Sequence, residues 1–343
     1  MQTPLASLDS TTSELWTPNQ PYRGPELIGL PDWLDLSPET LADCWLAALS
    51  VTHGNELFWD EIIRKRQQDP KVDGFLPIRA NPKAADNGER FKDHNLVFCY
   101  DPDVSPGAHE TLVAEALKRL FASMDPERIV IDGHNTRYGS QHFEVGQTAP
   151  PEVYAAARVL GFENGIIVNT PFYKYVSRSL VAEVKIDSLG LGTGSDQEKL
   201  QHFDAALDII LQMGKQGLQE LFRDEGTEGM TFHRFELEIC LTNRDGTPNL
   251  KVLKALPELE ALPVEPEPFT KVPLPNHLAE RLGLDPNLQY YRTYWGENES
   301  EYVPPDLPGL PDDGRRRQKA LGGLVVKINP PVLASDGLVH AEV

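Results

Sequence analysis

The sequence predicts a mixed α/β protein of the α+β kind, with a helical N-terminal part, a central mixed sheet and a proline-rich, irregular C-terminal tail. Three observations carry this prediction. Helically spaced apolar residues dominate 37–124. Short apolar or alternating runs interleave with helical ones between 128 and 243. Beyond 248, prolines interrupt the periodic runs. The 343 residues include 29 prolines and 26 glycines, so long irregular connections are expected.

Residues 1–36 read as an extended arm whose Trp16, Tyr22, Leu27, Ile28, Leu30 and Trp33 are too apolar for a free linker. A helical and mixed N-terminal region, 37–149, follows. Ser37 is a good N-cap, Pro38 suits the first helical position, and Leu41, Trp45 and Ala48 share a face. A second helix is expected at 54–68, with "THGNE" (52–56) joining the two. A buried strand at 95–100, an amphipathic helix at 108–124 and a strand at 128–132 complete this region.

The central core, 150–247, reads as helix, three strands, helix, strand. The helix is 150–162, and the strands are 165–170, 172–177 and 180–187. A long helix at 196–222 contains Gly214 and Gly217, which weaken or kink it. The alternating "TFHRFELEICLTN" (231–243) is a strand ending at an Asp245-Gly246 turn. The tail, 248–343, is expected to wrap the surface, with one short helix at "NHLAERLG" and one strand at 322–328.

Acidic residues outnumber basic ones by 52 to 32, for a formal net charge of −20. That field repels phosphate backbones, so a nucleic-acid partner needs a local basic groove. The one dense basic run, "GRRRQK" (314–319), is too short to outweigh the rest. Protein partners or self-association through the arm and tail are the expected contacts. Cys44, Cys99 and Cys240 are odd in number and widely spaced, which suggests reduced thiols rather than a disulfide framework or a structural zinc site. No signal-peptide pattern opens the sequence and no apolar run approaches about 20 residues. The expectation is a cytoplasmic or particle-associated protein with no membrane partner.

The chemistry-bearing stretch is "VAEVKIDSLGLGTGSDQEKL" (181–200). A period of two puts Glu183, Lys185 and Asp187 on one strand face. The glycines of "GLGTG" could bring backbone amides to a phosphate, but the acid that such cofactor loops place two residues earlier is Ser188 here. A simpler reading makes these charges a solvated strand face. Glu183-Val184-Lys185 resembles the ExK element of the PD-(D/E)xK nuclease superfamily, and the element order over 150–243 is similar to that family's core. The resemblance implies Mg2+ or Mn2+ on Glu183, charge stabilisation by Lys185 and a supporting Gln201 in the next helix. The aspartate that opens the preceding strand in that family is missing, so Asn169 or Glu163 would stand in as metal ligand.

A second constellation lies in "VIDGHNTRYGSQHFE" (130–144), where Asp132, His134, His142 and Glu144 are all metal-competent. His142-x-Glu144 with the distant His233 is similar to the facial triad of non-haem Fe2+ oxygenases, with Arg244 holding a co-substrate carboxylate. "DGHN" also resembles the opening of NYN-type ribonuclease domains. A polar loop with capping histidines is the plainer alternative. The aromatic cluster "YYRTYW" (290–295) reads as a docking surface. The most concrete expectation is a metal-dependent, nuclease-like phosphodiesterase, active or inactive. A non-catalytic acidic assembly protein is the alternative, and an iron oxygenase a further one.

Overall fold

The computed structural model describes residues 27–32, 34, 37–68, 73–88, 96, 99–100, 108–136, 141–186, 195–239, 249–262, 268–293 and 323–341. Most of the expected arm, the glycine loop with Asp187, Cys240, Arg244, the Asp245-Gly246 turn, "GRRRQK" and much of the proline-rich tail lie outside these residues.

The first helix shows how local signals and burial compete. Ser37 caps it, accepting from the Thr40 N–H at 3.3 Å, and Pro38 opens it. It closes at Ala42, not near Ala48 as expected. Residues Leu46–Ser50 form strand β1 instead, and every one is buried. A parallel strand covered on both faces reads as an unbroken apolar run, which periodicity cannot tell from a helix. The next helix accordingly starts at Phe58 and ends at Gln68, and "THGNE" leads from a strand into it.

The remaining strands are β2 (Phe75–Arg79), β3 (Ile129–Thr136), β4 (His142–Val145), β5 (Thr148–Ala149), β6 (Asn164–Ile167), β7 (Ser179–Lys185), β8 (Thr231–Glu238), β9 (Thr270–Val272), β10 (Tyr290–Arg292), β11 (Gly323–Ile328), β12 (Val332–Leu333) and β13 (Val339–His340). Ten of them make one mixed sheet in the order β2-β1-β3-β7-β4-β6-β8-β11-β10-β9, and β12-β13-β5 form a small second sheet. β1 pairs in parallel with β2 and β3, and β3 with β7. β4 runs antiparallel to β7, and β6 and β8 continue parallel to β4. The carboxyl ends of β1, β3 and β7 therefore lie at the same end of the sheet as the amino ends of β4, β6 and β8. This is the central mixed sheet that the sequence predicts.

Apolar layers cover both faces. Trp59, Ile62, Ile63, Tyr154, Phe203 and Leu207 from the helices Phe58–Gln68, Pro151–Val159 and Ser195–Glu225 lie on one face, against Ile131, Ala182 and Val184. Leu41, Val113, Leu117, Leu120 and Phe172, from Pro38–Ala42, His109–Ser123 and Pro171–Tyr175, lie on the other, with Val130 and Val181. A third cluster joins β9–β11 to the helices Leu250–Glu260 and Asn276–Leu282. The long helix breaks at Gly214, whose φ is 63°, as the glycine there suggests.

Among the described residues, one expected strand is not found, and most of another lies outside them. "FYKYVS" is a helical turn, Pro171–Tyr175, because Pro171 presets its first turn and burial of Phe172 and Tyr173 outweighs the strand preference of aromatics. Within 95–100, the described Leu96, Cys99 and Tyr100 are buried in turns. Among the described residues no helix is long and apolar enough to cross a membrane.

Candidate metal centre

The turn after β1 builds the site. Val51 is fully buried with φ at 51°, a left-handed conformation that a β-branched residue adopts only when its surroundings hold it there. Thr52, His53 and Glu56 follow at once and are all buried. Phe58 opens the next helix, and its N–H donates to the Asn135 side-chain oxygen at 3.0 Å. Asn135 closes the loop from its other side, donating its own N–H to Glu56 Oε2 at 3.3 Å.

The end of β3 supplies the rest. Asp132 and His134 point to one face, while Gly133 between them faces the other and lies under Trp59. A Cβ on Gly133 would fall 2.1 Å from the Trp59 ring, so the helix carrying Trp59 can pack this closely only over glycine.

These two segments meet at a carboxylate. His53 Nδ1 lies 2.8 Å from Glu56 Oε1, and His134 Nδ1 lies 2.9 Å from Glu56 Oε2. One ligand atom from each of His53, Glu56 and His134 lies within 4.8 Å of the others, and all three residues are buried. The imidazoles meet edge to face, with centroids 4.8 Å apart. On the far side of His134, Nε2 lies 3.3 Å from Asp132 Oδ2. Thr52 donates its hydroxyl to Asp132 Oδ1 at 2.6 Å. His53, Glu56 and His134 thus form a group able to hold a metal ion. Asp132 stands behind His134 at ion-pair distance, without hydrogen-bond alignment, in the place where a metal-bound histidine usually has its second partner.

The electrostatics follow from burial and pairing. Burial alone would raise the Glu56 pKa, but His53 and His134 outweigh it and hold the carboxyl well below its usual range. Burial opposes the charged form of His134, yet Asp132 and Glu56 outweigh it and hold the pKa well above that of a free histidine.

Glu183 completes the face. It is half-buried on β7, opposite His134 on β3 and His142 on β4. Burial, and after it the charge of Glu56, push its pKa up to about 7 against the attraction of His134 and His142. A carboxyl poised near neutrality can take a proton from water and return it.

The other residues singled out in the sequence scatter. Lys185 is exposed at the end of β7, Gln201 is exposed on the long helix, and Glu163 is exposed ahead of β6. His142 Nε2 lies 3.5 Å from Glu144 Oε1. His233 instead stacks on Phe269, with centroids 4.5 Å apart and planes 13° off parallel. Sequence reasoning missed His53 and Glu56. Their signal was a His-x-x-Glu spacing directly after an apolar run, which matters once that run is a strand ending at the site.

No family model and no curated protein matches the chain; solved structures do. The succinylglutamate desuccinylase of Chromobacterium violaceum aligns over 86% of this chain and 88% of its own, at 16% identity and a TM-score of 0.53. That of Vibrio parahaemolyticus aligns over 89% and 87%, at 14% identity and a TM-score of 0.52. Murine aminoacylase 3 aligns over 84% and 96%, at 14% identity and a TM-score of 0.50. The fold is similar to that of these hydrolases. The likeness spans nearly the whole chain and corrects the nuclease expectation. In that reading the strands of 150–243 form a core of their own, but here β7 pairs with β3 and β4 and not with β6. A non-catalytic assembly role and an iron oxygenase find no support in it either.

Proposed function

We propose that the protein is a metal-dependent hydrolase that cleaves the amide bond of an N-acyl amino acid. The observation that carries this is the convergence of the ligand atoms of His53, Glu56 and His134 within 4.8 Å, one strand away from a carboxyl poised near neutrality. The reaction class comes from the hydrolases with a similar fold, whose names specify removal of an acyl group from an amino acid.

The donor set fits zinc. Two imidazoles and one carboxylate, leaving a position open, are a recurring set in hydrolytic zinc sites, whereas Mg2+ and Mn2+ favour oxygen donors. His53, Glu56 and His134 would hold the zinc, since their ligand atoms already converge within 4.8 Å. Zinc in place of Mg2+, Mn2+ or Fe2+ changes the metal expected from sequence.

A metal held there would supply polarisation of the scissile carbonyl and acidification of water. The chain's own residues do the rest. Asp132 fixes the His134 ring with Nδ1 turned to the centre. Glu183 takes the proton of the attacking water and returns it to the departing nitrogen, the two halves of one acid–base cycle. Burial of Thr52, His53, Asp132 and His134 keeps bulk water from competing.

The test is metal analysis of untagged protein, followed by hydrolysis of N-acetyl- and N-succinyl-amino acids with zinc. One equivalent of metal, lost in His53→Ala, together with amide hydrolysis, supports the reading. Full metal retention in His53→Ala overturns it.

A further inference from the structure

The end of the sheet away from the metal centre holds a second group of charges. β3 and β7 run parallel, with Val130 beside Ser179. Arg128 and Arg178, just ahead of these strands, are therefore neighbours, and the Val130 N–H donates to the Arg178 carbonyl at 3.0 Å. Glu183 lies five residues beyond Arg178, about 16 Å away along an extended strand.

The turn before β3 leaves Arg128 without a carboxylate. Asp125 Oδ1 accepts from the Glu127 N–H at 2.7 Å. Lys215 engages both acids of the turn, at 2.6 Å from Asp125 Oδ2 and 3.4 Å from Glu127 Oε2. The Arg128 side chain donates to the Asp125 carbonyl at 3.4 Å, and its guanidinium lies 5.8 Å from the centre of the Phe121 ring. Among the described residues no carboxylate pairs with it. Burial, and after it the charge of Arg178, lower its pKa against the attraction of Asp125.

Arg178 is better supplied but not satisfied. Its Nη2 lies 3.4 Å from Glu152 Oε1, which also accepts from Gln219. Arg128 Nε, Arg178 Nε and Glu152 Oε2 are all buried with no hydrogen-bond partner. Two of these atoms are donors, and the third, on a carboxylate, is an acceptor. Such atoms are rare in a folded interior, and each asks for a bound group. Water would meet their hydrogen bonds but leave the charge of Arg128 uncompensated. Sulfate would compensate the charge but has no proton for Glu152. Hydrogen phosphate does both, because its oxygens accept from the guanidinium forks while its own hydroxyl donates to the carboxylate. Both arginines are partly exposed, so a small anion can reach them from solvent.

We propose that Arg128, Arg178 and Glu152 form a binding site for inorganic hydrogen phosphate at the amino ends of β3 and β7, separate from the metal centre. Discrimination against sulfate comes from Glu152, which a fully ionised anion leaves unpaired and repelled.

Calorimetric titration of the full-length protein with sodium phosphate and with sodium sulfate, at pH 7 and matched ionic strength, tests this. Phosphate is expected to bind one to one, with sulfate about ten-fold weaker or more. Arg128→Gln should lower phosphate affinity by about ten-fold or more, and His53→Ala, which disrupts the metal centre, should leave it unchanged. Arg128→Lys keeps the charge without the fork and should also lose most of the affinity, which separates loss of the site from loss of the fold. Millimolar phosphate should raise the melting temperature of the wild type and not that of Arg128→Gln. Equal affinity for the two anions overturns the proposal. So does phosphate binding that survives Arg128→Gln but not His53→Ala, which would place the anion at the metal centre. Absence of both heat and melting shift overturns it too, and assigns the three buried atoms to water.

Discussion

Glu183 stands directly across from His134 in the parallel pairing of β3 and β7. One of these residues offers an imidazole nitrogen to the triad, and the other a carboxyl beside it. Adjacent strands fix their separation, so the pair is as rigid as the sheet. An acid–base group on such a support is expected to dominate the rate without holding the metal. Glu183→Gln should retain a full equivalent of zinc and lose about 10²- to 10⁴-fold in kcat. Metal content and kcat measured on one preparation check this; loss of both together would make Glu183 a ligand instead.

Proton uptake at His134 makes a second prediction. Against the opposing effect of burial, Asp132 and Glu56 favour the protonated ring and hold its pKa well above the ordinary 6.5 in the metal-free protein. A metal requires the neutral nitrogen, so binding must release that proton. Titrations in buffers of different ionisation enthalpy should show about one proton released near neutrality, and zinc affinity should fall as pH falls. Asp132→Asn removes the carboxylate behind His134 and should weaken zinc affinity by about 10- to 100-fold.

The same carboxyl proposed as the acid–base group should cost stability. In the metal-free protein the Glu183 pKa is about 7, against 4.5 for a free glutamate. A folded-state value above the unfolded one means that the native state binds the proton more tightly. Stability from this group is therefore greatest below about pH 4.5 and falls as pH rises to about 7. At about 1.4 kcal/mol per unit, the cost at pH 8 is on the order of 3–4 kcal/mol. Metal-free Glu183→Gln should melt higher than the wild type at pH 8, with the gap closing at pH 4. An unchanged gap across that range would place the effect in packing rather than in charge.

How much of this was legible depends on which interactions set each element. The N-cap at Ser37, the weak point at Gly214 and the strands at 128–132, 165–170, 180–187 and 231–243 came from local signals, and the mixed sheet followed from their order. "LAALS" did not read as a strand, because burial on both faces erases the period on which such a reading relies. That one ambiguity hid the site. With a helix over 37–48, His53 and Glu56 become a linker; with a strand there, they become the loop at its carboxyl end. His134 and Glu183 were singled out for their residue type and strand position. Their partnership is a matter of sheet order, because β7 inserts between β3 and β4, which no local pattern records.

Gly133 tests whether packing on one face sets chemistry on the other. It sits between Asp132 and His134, and an added Cβ would lie 2.1 Å from Trp59 Cγ and 2.7 Å from Trp59 Cβ. Trp59 is fully buried and packs against Phe203 with centroids 5.3 Å apart, so it cannot swing away. Gly133→Ala must push the Trp59 helix off β3 or bend β3 away from it. The expected loss is roughly 1–3 kcal/mol or more, the range for overpacking a filled core. The displacement also separates His53 and Glu56, which precede that helix, from His134, so zinc affinity should drop along with the melting temperature. Gly133→Ala combined with Trp59→Leu gives the added methyl room and should recover part of both losses. Recovery of stability without recovery of zinc affinity would show that the helix position and the metal ligands are not coupled in this way.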